Sequence, residues 1–280
     1  MILQQSLEFF VNWFSNPSFA AMGLAILLGV FWYVMYLPPL RGYGFLFAIM
    51  AISAILTLFA MVLIQMPLFA LTGQLLVSAF PPEALMKWIY ILGIPQILLS
   101  GFVQEGAKLI PVVYIWQRAD RFLDPKVGLI AGAAAGLGFG VFEAMWALNQ
   151  AFAGGWTWAA VETGGFLGLA PVWERFYAVA GHIAFSAIAG YGLSRERGWL
   201  YYLIAAGLHS LMNYTVVLLQ AQLISITTLE VLAALVAVGA TVWALVLRHT
   251  GESAPWAGHG YRKRLHLGKE PSEYAKKPSK

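Results

Sequence analysis

Apolar residues run almost without interruption through most of the chain, in stretches far longer than the face of a helix or strand folded in water requires. A run of about 20 such residues crosses a bilayer as a helix. Runs of that kind fall at about 18–38, 43–71, 85–117, 127–151, 172–194, 198–220 and 224–248. The expected fold is therefore all-α, a polytopic membrane helix bundle of about seven transmembrane helices spanning residues 18–248. Residues 1–17 mix Leu3, Leu7, Phe10, Val11 and Phe14 with Gln4, Gln5 and Glu8, the pattern of an interfacial helix. Residues 249–280 carry Arg262, Lys263, Arg264, Lys269, Lys276, Lys277 and Lys280 among Pro, Gly and Ser, the composition of a disordered basic tail beside anionic lipid. A membrane-proximal basic tail reads as lipid contact, so nucleic acid is not an expected partner.

Composition supports this picture. Of the 280 residues, 60% are hydrophobic and 11% charged, and the mean hydropathy is +0.72, against about 25% charged residues in a soluble domain. Cysteine is absent, which excludes disulfides, thiolate metal sites and cysteine nucleophiles. The charges that do occur set an orientation. Arg41, the group Arg118/Arg121/Lys126, the pair Arg195/Arg197, and Arg248 with the tail fall in alternate connections, while the opposite connections hold Lys87 and Arg175. By the positive-inside rule the N-terminus is outside and the C-terminus cytoplasmic. No basic stretch precedes the first run, so a cleaved leader is not expected.

Two runs carry internal punctuation. Gly93, Pro95 and Gly101 interrupt the third and predict a kink or a broken helix. The fourth has Gly128, Gly132, Gly136 and Gly140, with Gly138 between them; glycine at every fourth position makes a flat stripe on which a neighbouring helix can lie close.

Ionisable residues at membrane depth are costly and face cavities or partners. Here they are Glu105 and Lys108 on the third run, Glu143 on the fourth, His182 on the fifth and His209 on the sixth. Counted from the cytoplasmic ends, these groups and Asn213 lie roughly 17–24 Å deep at about 1.5 Å per residue. Four helices thus bring polar groups to one level. His209 and Asn213 share a helix face, as do Glu105 and Lys108. Two histidines and a carboxylate suit Zn²⁺, and shared depth predicts that Glu143, His182 and His209 converge on it. A second carboxylate then serves as general base, with Lys108 or Asn213 stabilising an oxyanion. Asp120 and Asp124 lie in a loop, which removes aspartyl proteolysis; HExxH is absent; Ser186 and Ser210 sit in continuous helical runs rather than a Gly-rich turn.

The segments Phe102-Val-Gln-Glu-Gly-Ala-Lys-Leu-Ile-Pro111, Gly136-Leu-Gly-Phe-Gly-Val-Phe-Glu143, Gly181-His-Ile-Ala-Phe-Ser-Ala-Ile-Ala-Gly-Tyr191 and His209-Ser-Leu-Met-Asn213 resemble, in order, the motifs of the PrsW intramembrane protease family, which is related to the type II CAAX prenyl proteases. The resemblance covers about residues 85–220. It implies a membrane metalloprotease of a bacterial or archaeal plasma membrane that cuts a single-span membrane protein such as an anti-sigma factor. Glu105 and Lys108 match the first motif, Glu143 the second, and His182, His209 and Asn213 the two histidine motifs. The first motif in that family usually begins with two adjacent glutamates, and here the first is Gln104. Three readings follow: Glu105 alone suffices, the chain is inactive, or Gln104 is an introduced substitution. Against the protease stand a transporter or proton pathway using the same groups, and an inactive relative that binds transmembrane helices as a scaffold. The sequence leaves oligomeric state open.

The depth of Glu143 and Asn213 predicts water access from the extracytoplasmic side. Because the chain lacks cysteine, single cysteines placed around Glu143 should label with an impermeant thiol reagent from that side without background; labelling confined to the cytoplasmic face would reverse the orientation.

Overall fold

The computed structural model describes residues 15–36 and 44–250. The interfacial segment expected over 1–17 (save its last three residues) and the tail beyond 250 lie outside the described residues. Among the described residues there is no strand. Six helical stretches are long and apolar enough to cross a membrane, and Phe19–Val34 is a shorter apolar helix. The fold is a polytopic helical bundle.

Helix α1 is Phe19–Val34, opened by Ser18, whose hydroxyl accepts from the Ala21 backbone N–H. Its 16 residues span about 24 Å, short of the about 30 Å hydrocarbon core expected of a full crossing. The second run is longer than expected: α2 (Phe45–Ala60) passes through a π-helical segment, Met61–Gln65, into α3 (Met66–Ala79). Met66 N–H reaches back to Met61 O, five residues away, so one residue is inserted into the turn just before Pro67. The wider turn leaves Leu63 and Ile64 outward, 58% and 48% exposed, while Gln65 faces inward at 7%.

The third run breaks where its glycine and proline predict. Helix α4 (Pro82–Leu92) ends on Gly93, and α5 (Ile94–Arg118) begins with Pro95 in its first turn. Gly101 breaks nothing; it is a contact, since an added Cβ there would overlap the Ala206 carbonyl on α9 (Gly198–Gln220). Helix α6 (Pro125–Ala153) is capped by Asp124, whose Oδ1 accepts from Lys126 N at 2.8 Å. After the short α7 (Trp158–Gly164) and a 3-10 turn, Gly165–Leu169, come α8 (Ala170–Ser194), α9 and α10 (Ile226–Thr250).

Helix α8 is the axis of the bundle. Ala178–Gly192 is buried throughout, and α1, α5, α6, α9 and α10 all pack on it. The closest approach is to α6, through the glycine stripe. Gly136 meets the His182 carbonyl, Gly132 the Ser186 carbonyl, and Gly128 lies against Gly190 O. Gly138 opens the other face of α6 to Met50 of α2. At each of these positions a methyl group would force the two backbones apart.

Gly136→Ala should therefore cost about 1–3 kcal/mol through overpacking, read as a lowered unfolding temperature in detergent. Gly207→Ala on α9, where an added Cβ meets nothing within 4 Å, should be neutral or slightly stabilising because alanine is the better helix former.

Candidate metal centre and its hydrogen-bond chain

Five helical segments deliver the polar groups. The π segment supplies Gln65; α5 supplies Ser100, Gln104, Glu105 and Lys108; α6 supplies Glu143; α8 supplies Arg175, His182 and Ser186; α9 supplies His209 and Asn213. Spacing along each helix explains the grouping. Glu105 and Lys108 are one turn apart, His182 and Ser186 are i and i+4, and Arg175 is two turns before His182 on the same face.

Glu105 lies at the centre, fully buried. Its Oε1 accepts from Lys108 Nζ at 2.6 Å and from His209 Nδ1 at 2.7 Å, and its Oε2 accepts from Ser186 Oγ at 2.9 Å. Lys108, also fully buried, donates a second bond to His182 Nδ1 at 2.8 Å. An ammonium only donates, so His182 Nδ1 is the accepting nitrogen and the ring proton sits on Nε2. That proton points at Glu143 Oε2, 2.8 Å away. Arg175 holds Glu143 from the far side at 3.2 Å and is also paired with Glu174. The result is a continuous chain, Glu174–Arg175–Glu143–His182–Lys108–Glu105, ending on His209 and Ser186. Side-chain exposure is 33% at Glu174, 16% and 19% at Arg175 and Glu143, and 0% at Glu105, so the chain is partly wet at the N-terminal end of α8 and dry at the core. Phe139 walls the centre, edge-on to His182 with ring centroids 5.2 Å apart and with Lys108 Nζ 5.1 Å above its ring.

Of the expected trio Glu143, His182 and His209, the two imidazoles pack edge to face, 5.1 Å between centroids. The carboxylate that joins them is Glu105: ligand atoms of Glu105, His182 and His209 all lie within 4.8 Å of one another, and all three residues are buried. Glu143 sits on the other nitrogen of His182, the place of a carboxylate that orients a metal-bound histidine. Donor chemistry fits a divalent cation, since one carboxylate and two imidazoles in a dry setting are a three-ligand set of the kind that binds zinc. Lys108 already bonds two members of that set, Glu105 and His182.

The remaining expected residues form a second cluster. Gln104 Nε2 donates to Gln65 Oε1 at 3.2 Å and to Ser100 Oγ at 3.3 Å, and Asn213 Nδ2 donates to the same Ser100 Oγ at 3.3 Å. Sequence reasoning did not assign a site role to Arg175 (counted only as an outer charge), Ser186 (weighed only as a nucleophile), Ser100 or Gln65. Each had a signal: a polar residue one or two helical turns from a named site residue, or, for Gln65, a lone amide inside an apolar run.

The model of a family described as PrsW family intramembrane metalloprotease matches residues 39–246. No curated protein and no solved structure matches the chain. The family match spans most of the chain, which therefore belongs to the PrsW family of intramembrane metalloproteases.

Removing one partner of a buried ion pair leaves the other charge uncompensated, at about 3–5 kcal/mol. Lys108→Met should destabilise the bundle by about that amount, whereas Lys108→Met combined with Glu105→Gln should recover the larger part. Unfolding in detergent of the two singles and the double checks this; strict additivity would mean that Glu105 and Lys108 do not depend on each other.

Proposed function

We propose that the chain is an intramembrane metalloendopeptidase acting on a single-span membrane protein, anti-sigma-factor-like, with the scissile bond in the outer half of a bacterial or archaeal plasma membrane. The observation that carries this is the buried Glu105/His182/His209 group, set in a chain of hydrogen bonds that grows wetter toward Glu174. In this reading Glu105, His182 and His209 hold Zn²⁺, which supplies Lewis-acid polarisation of a carbonyl and lowers the pKa of bound water. Glu143 keeps the His182 proton on Nε2, so that Nδ1, which accepts from Lys108 in this structure, is the nitrogen that would bind the cation, and Arg175 keeps Glu143 in place. Lys108 and Asn213 are the donors available to a developing oxyanion.

Positions 104–105 are assigned to the catalytic base, and there the residues fall short. Both oxygens of Glu105 already accept bonds, and Gln104 is an amide that orients water without taking its proton. Losing a positioned general base costs about 10²–10⁴ in rate, so the chain as written is weak or silent. This observation also favours a second reading, a relative that binds transmembrane helices as a scaffold.

Zinc content and cleavage of a single-span substrate should be measured together on the parent, Gln104→Glu, Glu105→Gln and His182→Ala. The expectation is zinc near one equivalent in the parent, loss of it in His182→Ala, and a gain in cleavage of about 10²-fold or more in Gln104→Glu. Should the parent cleave well, Gln104→Glu gain nothing and Glu105→Gln abolish cleavage while keeping its zinc, Glu105 is the base rather than a ligand and position 104 is not the base. Zinc retained in full by His182→Ala removes that residue from the ligand set. Zinc-free protein that moves ions or protons would establish the transporter.

A further inference from the structure

The cluster of Gln65, Ser100 and Gln104 has a feature that the chemistry above does not use. Gln104 is 3% exposed, Gln65 7% and Ser100 4%. The amide nitrogen of Gln104 is clamped between Gln65 on the π segment and Ser100 one turn earlier on its own helix. Its carbonyl Oε1 is buried with no hydrogen-bond partner. An unpartnered buried acceptor costs about 1–3 kcal/mol, and the large majority of buried polar side-chain atoms are partnered. In this arrangement both bonds of the Gln104 amide are made by its nitrogen, and the oxygen makes none. Gln104 is also the neighbour of Glu105 in sequence, and Ser100 ties the cluster to Asn213 one turn beyond His209. The cluster thus shares two helices, α5 and α9, with Glu105 and His209, and lies one residue and one turn from them along those helices.

A transmembrane helix satisfies all its own backbone groups, which is why it can sit in lipid. To expose one peptide bond to hydrolysis, at least a turn must open, and the freed N–H and C=O groups then lack partners in a medium where each costs several kcal/mol. A site that accepts such a segment must supply replacements. Carboxamides do so without introducing charge, since each carries a carbonyl acceptor and an N–H₂ donor like the peptide group itself. We infer that Gln65, Ser100 and Gln104 form a subsite for unwound peptide backbone, in which Gln104 Oε1 accepts an N–H from the opened turn of a transmembrane segment. Gln65 is a positioning residue, delivered by the π turn that rotates it inward. The ligand class is a membrane-spanning peptide interrupted by helix-weakening residues such as paired glycines. The inference rests on the reading of this centre as a peptide site, and it holds whether or not the chain cuts what it binds.

The probe is a fluorescent transmembrane peptide of about 25 residues, rich in Leu and Ala, with a central Gly-Gly; its partner has Leu at both positions. Binding to the full chain in lipid nanodiscs is read by anisotropy. The Gly-Gly peptide should bind more tightly. Replacing single amides near the glycines by esters, which deletes one N–H at a time, should weaken binding about two- to tenfold at one position, the worth of one hydrogen bond, and little elsewhere. Gln65→Leu should erase the ester effect, and Gln65→Glu, whose carboxylate accepts the same bond from Gln104 Nε2, should keep it. The ester series on the unaltered chain needs no folded variant. Equal binding of the two peptides, no binding of either, an ester-insensitive series, or an ester effect that survives Gln104→Leu overturns the subsite. The peptidase reading fails separately: Gln104→Glu that cleaves nothing while the ester effect persists counts against hydrolysis alone. A cleaving Gln104→Glu with an ester-insensitive parent removes the subsite alone.

Discussion

A carboxylate at the middle of a bilayer has to be neutralised and hydrogen-bonded on every side, because an uncompensated buried charge costs several kcal/mol. Glu105 meets that condition with donors from three different helices. Lys108 comes from its own helix one turn on, Ser186 from the central α8, and His209 from α9, at 2.6, 2.9 and 2.7 Å. Satisfying this one side chain fixes the rotation of α5, α8 and α9 relative to one another. Lys108 is itself buried and must spend its remaining donor capacity, which it does on His182. His182 passes the requirement to Glu143, and Glu143 to Arg175. Each group in the series is there to satisfy the one before it, until Glu174 reaches partly exposed surroundings.

The glycines of α6 belong to the same geometry. The residues whose carbonyls rest on Gly136 and Gly132 are His182 and Ser186, the two whose side chains bond Glu143, Lys108 and Glu105. Close approach of the α6 and α8 backbones thus sets the height and tilt of both side chains. With any side chain at 132 or 136 the helices would separate, and bonds of 2.8–2.9 Å across the centre would lengthen beyond useful range. Packing and chemistry cannot be varied independently along this stripe.

What could be read from the sequence follows from what sequence periodicity encodes. Apolar length marks the spans, and Gly93 and Pro95 mark the break before α5, because both signals are local. Depth is also local: counting residues brings Glu105, Glu143, His182 and His209 to one level. Rotation about each helix axis is not, since it is decided by neighbours. That is why the carboxylate joining the two imidazoles is Glu105 while Glu143 lies behind His182. The inserted residue at Met61–Gln65 was illegible for the same reason; a π turn has no strong composition, and only its result, a glutamine facing inward between outward Leu63 and Ile64, shows its use. Arg175 was legible as a charge but not as a partner, because the positive-inside rule counts basic residues without asking what they touch.

The charge balance of the centre bears on Gln104. Glu105 and Lys108 cancel, and Arg175 offsets part of the charge on Glu143 and Glu174. A divalent cation bound to Glu105 and His182 would share acceptors with the Lys108 ammonium, so the two positive groups compete for the same lone pairs. A second carboxylate at position 104 would add a negative charge beside that competition and favour the dication. With an amide at 104 the centre is balanced by its lysine alone, and adding a dication leaves an excess of positive charge in a low-dielectric setting, where such an excess is most costly. Under the peptidase proposal an amide at 104 offers no proton acceptor and gives a bound cation one negative charge less, so the zinc content of the parent and the gain expected from Gln104→Glu both report on the same charge.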